Sequence, residues 1–329
     1  MTPAIQMQQV SRSFGKLIAV DNVSLEIPEG EIFGLLGPNG AGKTTILSIL
    51  STMLAPSSGS AMVNGHDTCT EPDEVRRSIG IVFQSQSIDE ELSAWENMEY
   101  HARIFRVPRE IRTRKINELL TLVELYDRRY DVLKKFSGGM KRRLELARGL
   151  LHHPSVLFLD EPTLGLDPQT RNHLWHYITS LSKEKGITII LTTHYMEEAD
   201  RLCDRIGIID HGRIIAIDTP DNLKSSLGGD LITIKSPLLN EVAQAVREPW
   251  INRVDVHQHE VIFSLMHAEQ YVPVIMTRLI KKQIPITSLS IHKPTLEDVF
   301  LFYTGRKIRD SDVDFWENIQ NRERMTGRA

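Results

Sequence analysis

The sequence has little of what secreted, metal-stapled or membrane-spanning proteins need. It holds 2 cysteines in 329 residues. Cys69 and Cys203 lie far apart, with no CxxC or Cys/His spacing nearby, which argues against a disulfide framework and a structural metal and fits a reducing compartment. No segment approaches the roughly 20 consecutive apolar residues that cross a bilayer, and Met1 to Phe14 lacks the apolar core of a signal peptide. The expectation is a chain neither inserted into a membrane nor sent across one. An excess of positive charge is also missing. With 39 basic against 43 acidic residues the formal net charge is -4, which gives no general attraction to phosphate backbones or anionic lipid, so no nucleic-acid partner is expected. Internal repeats and low-complexity tracts are absent too. What is present is ordinary for a folded protein: 41% hydrophobic and 25% charged residues, in a chain long enough for two domains at about 150 residues each.

The first half alternates strand and helix signals. An apolar run at Glu31 to Leu36 ends in a glycine-rich turn and is followed by a helical pattern at Ile46 to Leu54. Further strands are expected at Ile79 to Phe83, Val156 to Asp160, Thr188 to Thr192 and Arg205 to Ile209, with helices between most of them. Apolar strands spaced by helices predict an α/β domain with a parallel sheet covered on both faces. Between about 85 and 150 the strand signals vanish, and Trp95 to Phe105, Arg109 to Val123 and Gly139 to Leu151 read as a helical insertion. Gly228 and Gly229 break the pattern, which places a domain boundary after residue 227. Residues 228–305 then read strand, helix, strand, strand, helix, strand, a small α+β domain of ferredoxin-like order. The charged stretch 306–329 reads as a polar tail, an exposed helix or disordered.

The turn Gly37-Pro38-Asn39-Gly40-Ala41-Gly42-Lys43-Thr44-Thr45 contains the G-x-x-x-x-G-K-[ST] pattern, placed after a strand and opening a helix. Its glycines let the backbone N–H groups curl inward as an anion nest, reinforced by the positive end of the helix. Lys43 then reaches the β and γ phosphates, and the Thr44 hydroxyl offers an oxygen to Mg²⁺. Val156 to Glu161 supplies the second half of such a site, because a buried strand presents its carboxylates at its carboxyl end. Asp160 is the candidate to hold Mg²⁺, directly or through water, and Glu161 to polarise an attacking water.

With these motifs in order, the chain from Ile5 to about Leu227 resembles the ATP-binding subunit of an ABC transporter, a phosphate-loop NTPase domain of ABC type. Ser137-Gly138-Gly139-Met140 resembles the signature of that family, with Phe136 and Met140 departing from its usual leucine and glutamine. The resemblance implies ATP and Mg²⁺ as cofactors and assigns further roles. Gln84 becomes the glutamine that senses Mg²⁺, His194 the switch histidine on the γ phosphate, and Asp167 the D-loop residue at a dimer interface. Phe14 takes the place of the aromatic that stacks on adenine; its alternative is an ordinary core phenylalanine. The basic residues Lys134, Lys135, Lys141, Arg142 and Arg143 flank the signature and read either as a solvated face or as a field favouring an incoming triphosphate.

The resemblance also implies partners. One signature and one phosphate loop make a complete site only in a homodimer or heterodimer with a second ABC ATPase subunit. A transport role then requires separate transmembrane permease subunits, with this chain cytoplasmic and peripheral on the inner face of the cell membrane. The segment ending in Pro294 to Phe300 resembles the C-terminal part of ABC-2 exporter ATPases of the daunorubicin-resistance kind, which implies export of a small molecule, lipid or polysaccharide. Two other readings stay open: a soluble ABC ATPase without a membrane partner, and an importer ATPase with a regulatory C-terminal domain. Leu92, Trp95 and Met98 lie at helical spacing among Asp89, Glu90, Glu91, Glu96 and Glu99. They are expected to form an apolar docking groove with a carboxylate rim for the permease.

Overall fold

A computed structural model describes residues 3–85 and 87–305; the tail expected at 306–329 lies outside them. The chain divides into two compact units, Met1–Ile217 and Asp218–Ala329. In the first, β1 (Ile5–Phe14) and β2 (Leu17–Ile27) form an antiparallel hairpin. β3 (Ile32–Leu36) leads into α1 (Lys43–Leu50), followed by β4 (Ser58–Val63), β5 (His66–Asp67), α2 (Pro72–Ser78) and β6 (Ile79–Val82). The helical insertion carries α3 (Ala94–Ile104), α4 (Arg109–Leu122) and α5 (Gly138–Gly149). The chain then returns through β7 (Val156–Asp160), α6 (Pro168–Lys185), β8 (Thr188–Thr193), α7 (Met196–Leu202), β9 (Arg205–Asp210) and β10 (Arg213–Asp218).

The central sheet has the order β10-β9-β3-β8-β7-β6, and β9, β3, β8, β7 and β6 pair in parallel. Every residue of β3 and β7 is buried, which is why these strands read in the sequence as unbroken apolar runs rather than alternating ones. The register aligns Leu36 with Thr193, Thr192 with Asp160, and Leu159 with Val82. Four strands therefore end side by side, and the phosphate loop, His194, Glu161 and Gln84 all leave from the same edge.

One layer differs from the expectation. A second, four-stranded antiparallel sheet of order β2-β1-β4-β5 was not legible as strands. Its residues share one buried cluster with Ile46, Ile49 and Leu50 of α1 and with Phe33, Phe158 and Ile190 of the central sheet. One face of the central sheet is thus covered by α1 together with this sheet, not by helices alone. The burial pattern of β1 is irregular because its register slips between Met7 and Ser13, which breaks the period-two signal.

The second unit begins at Asp218 rather than at 228. The expected boundary is corrected because α8 (Pro220–Ser225) packs against the last helix, α11 (Leu296–Thr304). Between them lie β11 (Asp230–Lys235), α9 (Leu239–Ala245), β12 (Arg253–Val256), β13 (Val261–Leu265), α10 (Ala268–Lys281) and β14 (Ser288–His292). The strand order β12-β13-β11-β14, antiparallel throughout, is the ferredoxin-like arrangement. α11 was not anticipated as a helix, although its start carries a capping box: Asp298 N–H donates to the Thr295 hydroxyl (3.3 Å) and Thr295 N–H to the Asp298 carboxylate (2.8 Å).

Gly34 shows how tightly the first unit is filled. A β-carbon there would lie 2.6 Å from the Cys203 Sγ, and Cys203 is itself buried. Gly34→Ala should therefore cost about 1–3 kcal/mol through overpacking. The Gly34→Ala/Cys203→Ala double variant should unfold at higher denaturant than Gly34→Ala alone in a chemical-denaturation experiment; equal midpoints would show that the thiol is not what restricts the site.

Candidate active site

The phosphate loop spans the gap between β3 and α1. Gly42 has φ +107°, and a β-carbon there would lie 2.4 Å from the Ala19 carbonyl oxygen, so glycine is required at the point where the loop enters the helix. Lys43 is buried. Its ammonium donates to the Gly37 (2.6 Å) and Pro38 (3.1 Å) carbonyls and lies 3.6 Å from Glu161 Oε1. Beside it opens a cleft of about 260 Å³ lined by Phe14, Leu17 and Ala19, by Pro38 to Gly40 and Gly42 to Thr45 of the loop and helix start, and by Gln84 and Glu161. The Phe14 ring is 44% exposed under the Arg12 guanidinium, 4.8 Å away. The core-phenylalanine alternative is thereby excluded.

The carboxylates come from the end of β7. Thr44 Oγ1 lies 3.3 and 3.2 Å from the two oxygens of Asp160, and Thr192 Oγ1 donates to Asp160 Oδ1 at 2.5 Å. The same Thr192 hydroxyl accepts the Glu161 N–H at 3.1 Å. Glu161 is buried and has φ +50°, a left-handed conformation that costs a non-glycine residue about 1–3 kcal/mol and is found where a fold over-determines a functional side chain. The two neighbours have different partners: Asp160 lies against Thr44 and Thr192, Glu161 against Lys43 and His194. Glu161 Oε2 reaches 2.9 Å from His194 Nδ1, although neither atom is aligned for a hydrogen bond. Glu161 thus sits between an ammonium and an imidazole, with a hard-oxygen pair, Thr44 and Asp160, alongside.

The remaining expected residues lie apart. Ser137 caps α5, its hydroxyl accepting the Met140 N–H at 3.2 Å. Ser137 and Gly138 are exposed and Gly139 is buried, close to Thr170. Asp167 caps α6 and is exposed. The Thr170 hydroxyl and amide donate to it at 2.6 and 3.0 Å and hold its carboxyl below the usual aspartate range. None of these four residues lines the cleft.

Two surface readings are corrected. The basic run is a solvated face only in part: Lys134 and Lys135 are exposed, Lys134 pairing with Glu91 at 2.5 Å, while Lys141 pairs with Glu90 at 2.5 Å and Arg143 with Glu124 at 3.0 Å. Of the carboxylates expected to rim a groove, Glu90 and Glu91 are partners in these pairs, Glu99 pairs with Arg103 and Arg112, and Glu96 forms a capping box with Ser93. Met98 is fully buried, while Leu92 and Trp95 are half-buried. The cavity beside Trp95 is lined by Arg103, Arg109 and Arg112 together with Glu99. A mixed, arginine-rich wall replaces the acidic rim.

Arg142 was read with that surface run and belongs to the site. It is buried. Its guanidinium donates to the carbonyls of Pro162 (2.8 Å), Asp160 (2.9 Å) and Glu161 (3.2 Å), to that of Phe83, and to Glu145 at 3.1 Å. Glu145 in turn accepts the Ser87 N–H at 2.7 Å. The only local clue was an i, i+3 Arg–Glu pair on the apolar side of α5. Thr192 was likewise read only as strand. Since the planar fork of arginine is not reproduced by lysine, Arg142→Lys should leave nucleotide affinity within about threefold. It should lower single-turnover hydrolysis about 10²-fold, the scale of a small misplacement of catalytic groups. Unchanged hydrolysis would remove Arg142 from the site.

Comparison with known proteins agrees with this geometry. A family profile described as ABC transporter matches residues 20–164, and one described as ATP-binding protein DrrA1-3-like, C-terminal domain, matches residues 219–304. The chain is 39% identical over 311 residues to the linearmycin resistance ATP-binding protein LnrL of Bacillus subtilis (strain 168), covering 93% of this chain and 100% of that one. It is 37% identical over 318 residues to the daunorubicin resistance ATP-binding protein DrrA2 of Streptomyces coeruleorubidus, covering 94% and 98%. Among solved structures, the dimeric post-hydrolysis state of the ATP-binding cassette MJ0796 bound to ADP and Pi superposes with a TM-score of 0.59 at 29% identity, over 65% of this chain and 98% of that one. With a phosphate loop, a carboxylate pair and a signature in this arrangement, and relatives matched along nearly their full lengths, the chain belongs to the ABC transporter family as an ATP-binding, ATP-hydrolysing subunit with a DrrA-like C-terminal domain.

Proposed function

We propose that this subunit hydrolyses ATP at sites shared between two cassettes and so drives a separate membrane permease that exports a small molecule. The observation that carries the reading is a division within the chain. Lys43, Thr44, Asp160, Glu161 and His194 converge at one strand edge, whereas Ser137, Gly138 and Asp167 stand exposed and outside the cleft. A second subunit supplies what the cleft lacks, either another copy or a homologous chain.

Lys43 takes the β and γ phosphates by giving up its two loop carbonyls, and the curled N–H groups at the start of α1 hold the same charge. Phe14, uncovered at the cleft, offers a ring face to the base. Glu161, once Lys43 turns to phosphate, orients and deprotonates the attacking water, and His194 fixes the carboxylate from its other side. Gln84 lines the same cleft. The Thr44 hydroxyl and the Asp160 carboxylate are hard oxygens within 3.3 Å of one another, a donor set that fits Mg²⁺. When bound, that ion neutralises charge shared between the phosphates.

The permease is proposed as a separate chain; no helix among the described residues is long and apolar enough to cross a membrane. The subunit then works at the cytoplasmic face. Export is favoured over import and over a soluble role by the DrrA-like domain at 219–304 and by relatives named for resistance to linearmycin and daunorubicin. The cargo is proposed as a molecule of that small, drug-like class.

Glu161→Gln should keep Mg-ATP binding while slowing phosphate release by about 10²–10⁴, the range for loss of a general base, whereas Lys43→Ala should weaken nucleotide binding itself. An unaltered steady-state rate for Glu161→Gln would refute its role. For the shared site, Lys43→Ala and Ser137→Ala subunits, each inactive alone, are mixed. Mixed pairs should regain hydrolysis because one of their two sites is intact; no recovery despite verified mixed pairing would count against a shared site.

A further inference from the structure

A buried acid that the proposed reaction does not use lies next to the catalytic turn. Glu198, in the first turn of α7, is fully buried and does not line the nucleotide cleft. Its Oε1 accepts two hydrogen bonds, from the Thr163 hydroxyl at 2.8 Å and from the Trp175 indole N–H at 3.1 Å. The Thr193 hydroxyl lies against the same carboxyl and accepts the Tyr195 N–H at 2.9 Å. Oε2 has no aligned partner, and among the described residues the carboxyl makes no ion pair. Burial pushes it above the usual glutamate range, while the polar hydrogens of Thr193, Thr163 and Trp175 pull the other way. The helix places apolar side chains in the same buried layer at Ala199 and Leu202. An acid there carries a desolvation cost that packing alone does not require.

The partners of Glu198 close a circuit around the site. Residues 161–163 carry Glu161, and residues 192–198 carry His194. At one end the Glu161 N–H donates to the carbonyl and the hydroxyl of Thr192, both at 3.1 Å. At the other end the Thr163 hydroxyl, on a residue that is itself fully buried, donates to Glu198. Between these two ties Glu161 Oε2 and His194 Nδ1 stand 2.9 Å apart.

We propose that Glu198 is a positioning residue for hydrolysis: with Thr192 it clamps the turn that carries Glu161 to the segment that carries His194, and so sets the spacing of those two side chains. The inference rests on the roles given above to Glu161 and His194. One tie at Thr192 leaves the turn free to pivot, and the second removes that freedom. Glu198 touches neither nucleotide nor the attacking water. Its effect therefore falls on the rate of the chemical step and not on nucleotide affinity.

The test uses the full chain and reads two quantities, ADP affinity by calorimetry and single-turnover hydrolysis at saturating Mg-ATP. Glu198→Met should slow hydrolysis about 10- to 100-fold, the scale of a small misplacement, with ADP affinity within about threefold. Glu198→Gln keeps the shape and an acceptor for Thr163 and Trp175, so its rate should stay within about threefold of the unaltered chain. Should Glu198→Met fail to fold, Thr163→Val deletes the tie at the turn while keeping the side-chain shape. It should reproduce the slow rate, and Thr163→Ser should restore it. Trp175→Phe deletes the other hydrogen bond to Oε1 and should cost stability without slowing hydrolysis. An unaltered rate in Thr163→Val, an equal loss of rate in Trp175→Phe, or a rate in Glu198→Gln as low as in Glu198→Met would each overturn the clamp. Glu161→Gln is measured alongside. If it is slow while Thr163→Val is unaltered, the clamp alone is wrong; if it is unaltered, the assigned base falls and the clamp with it.

Discussion

One buried guanidinium organises the catalytic half of this protein. Arg142 binds the carbonyls of Phe83, Asp160, Glu161 and Pro162, which belong to two neighbouring strand ends, from a helix whose first turn is the signature. Its charge is balanced by Glu145, only 1% exposed, which is itself held by the Ser87 amide. Such a pair is retained because its removal leaves an uncompensated charge and several orphaned carbonyls in a dry environment, not because a buried ion pair is stabilising in itself. The outcome is mechanical. The loop after β6, the turn after β7 and helix α5 are tied together through this one side chain.

The same turn stores strain. Glu161 is left-handed, fixed by its amide to both oxygens of Thr192 at 3.1 Å, and faces Lys43 on one side and His194 on the other. In the proposed reaction Lys43 leaves the loop carbonyls and the glutamate in order to meet phosphate. Without phosphate, the lysine and glutamate neutralise one another across 3.6 Å. Each charge is thereby spared desolvation alone.

Charge patterns in the sequence misled where pairing was tertiary. Glu90 and Glu91 precede α3, and Lys134 and Lys141 flank the signature; each group looks like a one-sign surface. Folding brings the groups together as ion pairs, so neither is a surface of one sign. The half-buried Trp95, 6.1 Å from the Tyr130 ring, is instead flanked by arginines. The second unit shows a related effect: Arg253 lies 3.6 Å over the Phe302 ring, a cation–π contact that joins a strand to a helix the sequence pattern had not revealed.

The sequence by itself determined the phosphate loop, the carboxylate strand and the parallel sheet, because each depends on local chemistry, whereas the signature was legible only as a resemblance to a known family. Glycines for a tight loop, a lysine and hydroxyl beside it, and unbroken apolar runs for doubly covered strands can be read within a few residues. The antiparallel sheet escaped because its register slips blur the alternation. The start of the second unit escaped because α8 is assigned by packing on α11, far along the chain. Only the tertiary structure decided that Arg142 and Thr192 hold the end of β7 and that Glu161 takes a left-handed backbone. Those facts rest on hydrogen bonds between residues remote in sequence and on one backbone angle. No spacing rule encodes either, since a buried polar group is defined by what surrounds it in space.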